Sequence, residues 1–271
     1  MRAKWAQRGT LLVYVLIIVV PLTVVLFGSF KTSAQLYQGP FSPPTSPTLE
    51  NYLTLLTPEY LGMPFINSII VTSVALVLGV FISSLAAYAI ARIPGWRGWL
   101  IFGFLVIGIS VPAQAIMIPL YVMFSRMGLL NSLVGLILIE IVNAIPVGVF
   151  ILGGFMRTLP RELYEASSVD GSGPWRTYQS IVMPLSAPAI AATMIFLFVI
   201  LWNDLLYPLL FISNPDLKTL PLALLSFQGE FETNYPAMFA GVILASAPVV
   251  LAYVFLQRYF VAGMTAGASK G

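Results

Sequence analysis

The chain contains no cysteine and no histidine. Those absences remove disulfides, thiolate nucleophiles, iron–sulfur sites, most zinc sites and imidazole acid–base chemistry. Charge is scarce too. Only 8% of the 271 residues are Asp, Glu, Lys or Arg, against roughly 25% in a soluble domain. None of the four lysines (Lys4, Lys31, Lys218, Lys270) follows a GxxxxG pattern, so no phosphate-cradling nucleotide loop is readable. The net charge of +3 is small. Its distribution speaks to membrane orientation and not to nucleic acid.

Apolar residues dominate, at 59% of the chain with a mean hydropathy of +0.93. Six apolar stretches stand out, at about 11–30, 65–91, 99–122, 132–155, 186–212 and 237–260. Each can supply the roughly 20 residues that a spanning helix needs. The runs are continuous and lack period-two alternation, which argues against a transmembrane β-barrel. The expected fold is all-α: a polytopic membrane bundle of six transmembrane helices. The first stretch follows Arg2, Lys4 and Arg8 in the manner of a signal peptide. It is longer than the roughly 7–15 residues of a signal core, and no small-residue cleavage site follows. It reads as an uncleaved first helix.

Lys/Arg bias sets the orientation. With the N-terminus inside, the inner face holds Arg2, Lys4, Arg8, Arg92, Arg97, Arg157, Arg161, Arg176, Arg258 and Lys270, and the outer face only Lys31, Arg126 and Lys218. Both termini are therefore expected in the cytosol. Three segments follow: 1–64, the first helix and a proline-rich outer loop; 65–260, the main transmembrane domain; and 261–271, a cytosolic tail. The loop at 31–64 carries Pro40, Pro43, Pro44, Pro47, Pro58 and Pro64 and is expected to be extended or turn-rich. The last outer loop, 213–236, is acidic, with Asp216, Glu230 and Glu232. Both are candidate surfaces for an external partner.

Between residues 156 and 184 the apolar pattern stops. Arg157, Arg161, Arg176, Glu162, Glu165 and Asp170 collect there. Thr158 can cap a helix, with Pro160 in its first turn and Glu162 near the positive end of the dipole. Leu163, Ala166 and Val169 fall three apart on one face. Asp170-Gly171-Ser172-Gly173 breaks the helix, and Gly171 is the natural left-handed C-cap. Pro174 can open a second short helix carrying Trp175, Tyr178 and Ile181, ended by Pro184. Ala166, Ser167 and Ser168 leave a low ridge suited to another protein's groove.

Glu165-Ala166-Ser167, Asp170-Gly171 and Ile181-Val-Met-Pro184 together resemble the EAA loop of permease subunits in bacterial ABC importers. The family's second alanine is Ser167 here, and its usual leucine before the proline is Met183. Further along the chain, Pro47-Thr-Leu-Glu-Asn-Tyr52, Phe65-Ile-Asn-Ser68, Ala86-Ala-Tyr-Ala-Ile-Ala-Arg92, Ile118-Pro-Leu-Tyr121, Met127-Gly-Leu-Leu-Asn131 and Trp202-Asn-Asp204 resemble the carbohydrate branch, and most closely the shorter, six-helix subunit of maltose-type systems. The resemblance implies a type I importer permease in the bacterial inner membrane with no catalytic site of its own. It further implies a second permease subunit, two ATPase subunits that bind ATP and Mg, an extracytoplasmic solute-binding protein and a sugar-class cargo. Glu165, Ala166, Ser167, Asp170, Gly171 and Pro184 would form the ATPase-coupling surface.

Glu140 and Asp204 are the charges within apolar stretches. A central carboxylate costs about 2.5–3.5 kcal/mol on insertion scales, so each should face a cavity or partner and not lipid. At about 1.5 Å per residue, both lie roughly 12 Å below the outer ends of their helices. Glu140 and Asn143 share a helical face, as do Asn203 and Tyr207, with Asp204 adjacent. Polar and aromatic groups of this kind suit a sugar pathway; they equally suit hydrogen bonding between helices. Small residues Ser83, Ala87 and Ala91 at spacing four permit close helix approach. The alternatives are an ion-gradient-driven secondary transporter using Glu140 and Asp204, and an intramembrane aspartyl enzyme using the same two groups.

Overall fold

The computed structural model describes residues 2–227 and 234–268, with side chains described for 7–227 and 234–255. Lys270, Glu230 and Glu232 lie outside the described residues, and the side chains of Arg2, Lys4 and Arg258 outside the described side chains. All regular elements among the described residues are helical. In chain order they are α1 (Arg2–Ser29), α2 (Ser33–Gln38), α3 (Glu50–Leu55), α4 (Met63–Ala91), α5 (Gly95–Val106), α6 (Ala113–Arg126) and α7 (Leu133–Met156). There follow α8 (Arg161–Val169), α9 (Pro174–Thr177), α10 (Met183–Leu185), α11 (Ala187–Trp202), α12 (Leu206–Phe211), α13 (Leu220–Leu224) and α14 (Tyr235–Ala268). The chain divides into two compact units, Met1–Ile66 with Thr219–Pro248, and Asn67–Lys218 with Val249–Gly271.

Among the described residues, four helical segments are long and apolar enough to cross a membrane: Gln7–Ser29, Pro58–Ala91, Leu133–Met156 and Tyr235–Phe255. Two bent pairs bring the number to six if each is one span. The third and fifth stretches were expected to be continuous, and neither is. In the third, α5 tightens into a 3₁₀ turn at Ile107–Ser110 and Val111 turns extended (φ −80°, ψ 116°). Pro112 contributes to this, because its ring disfavours the helical conformation in the residue before it. Residues Ala113–Arg126 then leave at 92° to Gly95–Ser110. In the fifth, α11 ends at Trp202, and the chain turns through Asn203, Asp204 and Leu205 into α12.

Two π-turns, Pro58–Gly62 and Tyr178–Val182, each lead directly into a Met-Pro pair, Met63-Pro64 and Met183-Pro184. In each, the methionine amide reaches back five residues, to Pro58 O and Tyr178 O respectively. A proline in an ordinary helix clashes with the carbonyl four residues earlier. The widened turn takes up that clash and the helical path continues. Pro184 therefore does not end the second limb of the hairpin, as its sequence position suggested. The path runs on to Leu185 and breaks at Ser186, where Pro174–Leu185 meets Ala187–Trp202 at 75°.

The proline-rich segment after α1 is folded around Lys31, which is only 1% exposed. Its Nζ donates to Gly39 O at 2.7 Å and Ser42 O at 2.6 Å. A capping box between Thr32 and Gln35 starts α2. The segment is thus less extended than expected, with α2 and α3 inside it.

In the second unit α7 is central, packing against α5 and α11. Its contact with α4 is close because both surfaces carry small residues, as the Ser83, Ala87, Ala91 spacing suggested. Ser83 Oγ donates to Ile145 O at 3.3 Å, and a Cβ added at Gly148 would lie 2.6 Å from Ser83 Cβ. The buried core includes Val80, Ala87, Tyr88, Ala144, Leu152, Met156, Tyr178 and Leu197.

Candidate functional site

The segment from Pro160 to Leu185 forms a helical hairpin. Pro160 is the N-cap of α8 and gives it no side-chain hydrogen bond. Thr158, expected in that role, instead donates its hydroxyl to Phe155 O at 2.8 Å. The reason is position: the helix starts one residue after the proline, too far from Thr158 for capping. At the other end Ser172 N donates to Ser167 O at 2.9 Å and Gly171 N to Ser168 O at 3.1 Å. These two bonds, with Gly171 at φ +71°, are a Schellman stop. No heavy atom lies within 4 Å of a Cβ added at Gly171, so glycine is required there by backbone conformation alone within this chain.

Leu163, Ala166 and Val169 do not form one buried face. Leu163 is half-buried, Ala166 is exposed and Val169 is 87% exposed. The packed edge of α8 is instead Leu163, Tyr164 and Ser167. Ser167 is buried, and its hydroxyl hydrogen-bonds that of Thr177 on α9. Glu165 and Asp170 are exposed, as is Pro184. Exposed Glu165, Ala166 and Val169 thus ride on a surface whose other side is fastened down.

A tyrosine cluster does the fastening. Tyr88 donates to Pro174 O at 2.8 Å and accepts from Arg92 Nη1 at 3.2 Å. Tyr178 and Ser84 share a hydrogen bond of 2.7 Å. The Tyr88 ring lies 5.4 Å from that of Tyr178 and 6.3 Å from that of Tyr164. Both hairpin limbs are thereby tied to the end of α4. Nothing local marks Tyr88, Ser84 or Thr177 for this role. The only sequence signal was the Ala86–Arg92 motif, which carries Tyr88 and Arg92 but none of their partners on the hairpin.

The second candidate group is partly assembled. Glu140 is 3% exposed on α7, and its carboxyl group lies beside that of Asp204. Asp204 caps α12, accepting from Leu206 N at 3.3 Å and Tyr207 N at 3.1 Å. Tyr207 donates its hydroxyl to Asn143 Oδ1 at 3.3 Å. Glu140, Asn143, Asp204 and Tyr207 therefore meet, while Asn203 is exposed and donates to its own helix at Val199 O, 2.8 Å. Asn131, at φ 51°, holds the far end of α12: its Oδ1 accepts from Ser213 N at 2.6 Å and Asn214 N at 3.0 Å. A polar side chain that tolerates the left-handed region suits that turn.

A polytopic helical chain with a fastened polar hairpin and a polar cluster between helices has the build of a membrane permease component. Residues 79–266 match the family described as binding-protein-dependent transport system inner membrane component, and the chain belongs to that family. The diacetylchitobiose uptake system permease protein NgcG of Streptomyces coelicolor is 34% identical, over 97% of this chain and 88% of its own length. The multiple sugar-binding transport system permease protein MsmG of Streptococcus mutans is also 34% identical, over 94% and 93%. In fold the chain matches a solved bacterial ABC transporter for import of the acidic polysaccharide alginate, at TM-score 0.82 and 20% identity, covering 96% of this chain and 97% of that one. The chain is a multi-pass inner-membrane permease component of an ABC importer. The ion-gradient alternative gains no support from these matches.

Proposed function

We propose that this chain is one permease half of a sugar-importing ABC transporter, and that the hairpin from Pro160 to Leu185 is where a separate ATPase subunit grips it on the cytosolic side. The observation that carries the reading is the two-sidedness of α8. Tyr164 packs on Tyr88 of α4 and Ser167 bonds to the opposite limb of the hairpin, while Ala166 and Val169 stand exposed on a helix stopped by Gly171. Val169, 87% exposed, offers an apolar contact beside the small Ala166 to any surface that covers the ridge. ATP and Mg would be bound by two ATPase partners, whose closure would pull the hairpin and switch the bundle between two states. A second permease subunit and an extracytoplasmic solute-binding protein complete the assembly. Sugar cargo is supported by the names of the relatives and by the cluster of Glu140, Asn143, Asp204 and Tyr207, where planar polar groups and an aromatic ring meet.

The absence of cysteine makes a clean test available. Val169→Cys should react with a membrane-impermeant thiol reagent only from the cytosolic side, and should be protected at least tenfold once the ATPase subunits are assembled. Labelling from the outside, or equal labelling with and without the ATPases, overturns the reading.

A further inference from the structure

Beside the hairpin lies a cavity of about 200 Å³, between the end of α4, the start of α5 and the segment joining α7 to α8. Trp99, Met156, Arg157, Leu159, Arg161 and Tyr164 are among the residues that line it, and no carboxylate is. The space exceeds the roughly 30 Å³ that one water occupies in the liquid. Glu162, in the first turn of α8, is exposed and does not line it.

Arg157 is held rigidly at this cavity. Its Nη2 donates to Gly98 O at 2.7 Å. Its guanidinium carbon lies 4.1 Å from the ring centre of Trp99 and 4.4 Å from that of Phe102. Nη1, however, is buried and has no hydrogen-bond partner. That nitrogen is closed off from the cavity, which Arg157 lines through its remaining atoms; a guanidinium with no carboxylate partner there favours a nearby anion. Arg161 is exposed and forms no ion pair or hydrogen bond among the described residues. It opens α8, whose N-cap Pro160 supplies no side-chain acceptor, so the positive end of that helix lies beside the same space.

We propose that this cavity binds a phosphate-bearing anion, with Arg157 and Arg161 as its two cationic ligands. Guanidinium groups match the several oxygens of a phosphate better than a point charge does. Trp96 and Trp99 are 70% and 65% exposed on the first turns of α5, and indoles concentrate at the level of lipid headgroups. A phosphodiester of an anionic lipid and free phosphate share the required chemistry. Arg161 and Tyr164 also line an adjoining hollow with Glu165 of the exposed ridge, and the site does not depend on which sugar is carried.

The test uses the assembled importer, purified in detergent and stripped of lipid. Its unfolding midpoint is measured against phosphatidylglycerol, phosphatidylcholine and inorganic phosphate, in the wild type, Arg157→Gln and Arg161→Gln. At a hundredfold excess over Kd the wild-type midpoint should rise by roughly 5–10 °C, and each variant should bind at least tenfold more weakly. Arg161→Gln keeps the test independent of folding, because Arg161 is exposed and unpaired while Arg157 packs on two rings. Arginine-dependent stabilisation by phosphatidylglycerol but not by inorganic phosphate assigns a lipid headgroup; stabilisation by inorganic phosphate assigns a soluble anion. No shift with either, or equal shifts in wild type and Arg161→Gln, overturns the proposal.

Discussion

The hydroxyl groups of Ser167 and Thr177 face each other across the hairpin and share a hydrogen bond. This is the only direct side-chain hydrogen bond between α8 and α9 among the described residues. It sits where the resembling family carries alanine. Thr177 has a second acceptor, Gly173 O at 3.2 Å, so its hydroxyl stays satisfied if Ser167 is truncated. Ser167→Ala should therefore cost about 0.5–1.5 kcal/mol, the net worth of one hydrogen bond. Thr177→Val should cost more, because it leaves the buried Ser167 hydroxyl without its partner. A double-mutant cycle on the thermal stability of the purified complex measures the coupling, and a coupling near zero would show that the limbs are held together by other contacts.

Gly171 separates backbone strain from steric fit. A β-carbon there meets open space in this chain, so any cost comes from the left-handed conformation, about 1–2 kcal/mol for an ordinary residue. Gly171→Asn should keep most of the stability and Gly171→Val should not. Uptake is the second readout. If Asn restores stability but not transport, a partner surface approaches the position too closely for any side chain; if it restores both, glycine is needed only to stop the helix.

Tyr88→Phe removes the donor to Pro174 O and the acceptor for Arg92 while keeping the ring stack. The hairpin should loosen without a change in membrane insertion. The expected loss is about 1–3 kcal/mol, the penalty for orphaning part-buried polar groups. Limited proteolysis should cut between residues 160 and 185 faster in the variant, and ATP hydrolysis should run on with less transport per turnover. Unchanged proteolysis would place the anchoring in the ring contacts alone.

Asp204 is both a helix cap and the partner of Glu140, and two substitutions pull these roles apart. Asn at 204 keeps a capping oxygen, whereas Ala loses it at a cost of about 0.5–2 kcal/mol. The Glu140→Gln side chain keeps the size of the acid and can donate its amide to an Asp204 oxygen. Glu140→Gln should therefore preserve folding. If Glu140→Gln and Asp204→Asn both fold but transport poorly or change cargo preference, the cluster contacts the cargo. Normal uptake in both would make it scaffold.

How much of this was legible follows from how local each signal is. The start of α8 near Pro160 and its stop at Gly171 were readable because helix boundaries are written in a few adjacent residues. The anchoring of that helix was not. Tyr88 and Pro174 are 86 positions apart, and Ser84 and Tyr178 are 94 apart. The bend at Val111-Pro112 sits inside an apolar run, where hydropathy reads the same on either side of a break. Asn203 and Tyr207 were grouped by helical spacing, but α11 ends at Trp202, so the spacing did not apply. The meeting of Glu140 with Asp204 could be anticipated only as a need, since each acid required some partner away from lipid.

The close crossing of α4 and α7 leaves little room to adjust. A β-carbon at Gly148 would lie 2.6 Å from Ser83 Cβ and closer still to Ser83 Oγ, and one at Gly79 would lie 2.8 Å from Ala144 Cβ. Ser83 Cβ is fixed by its own backbone, so rotating the hydroxyl away does not relieve the clash. Gly148→Ala should force the helices apart, weakening the bond from Ser83 to Ile145 O. Overpacking of this kind typically costs about 1–3 kcal/mol. Ser83→Gly in the Gly148→Ala background removes the obstructing atoms, sacrificing that hydrogen bond and adding the roughly 0.5–1 kcal/mol cost of a glycine inside α4. It should recover part of the lost stability, read as the unfolding midpoint of the purified complex. A double variant no more stable than Gly148→Ala would show that the glycine is needed for a contact other than the one with Ser83.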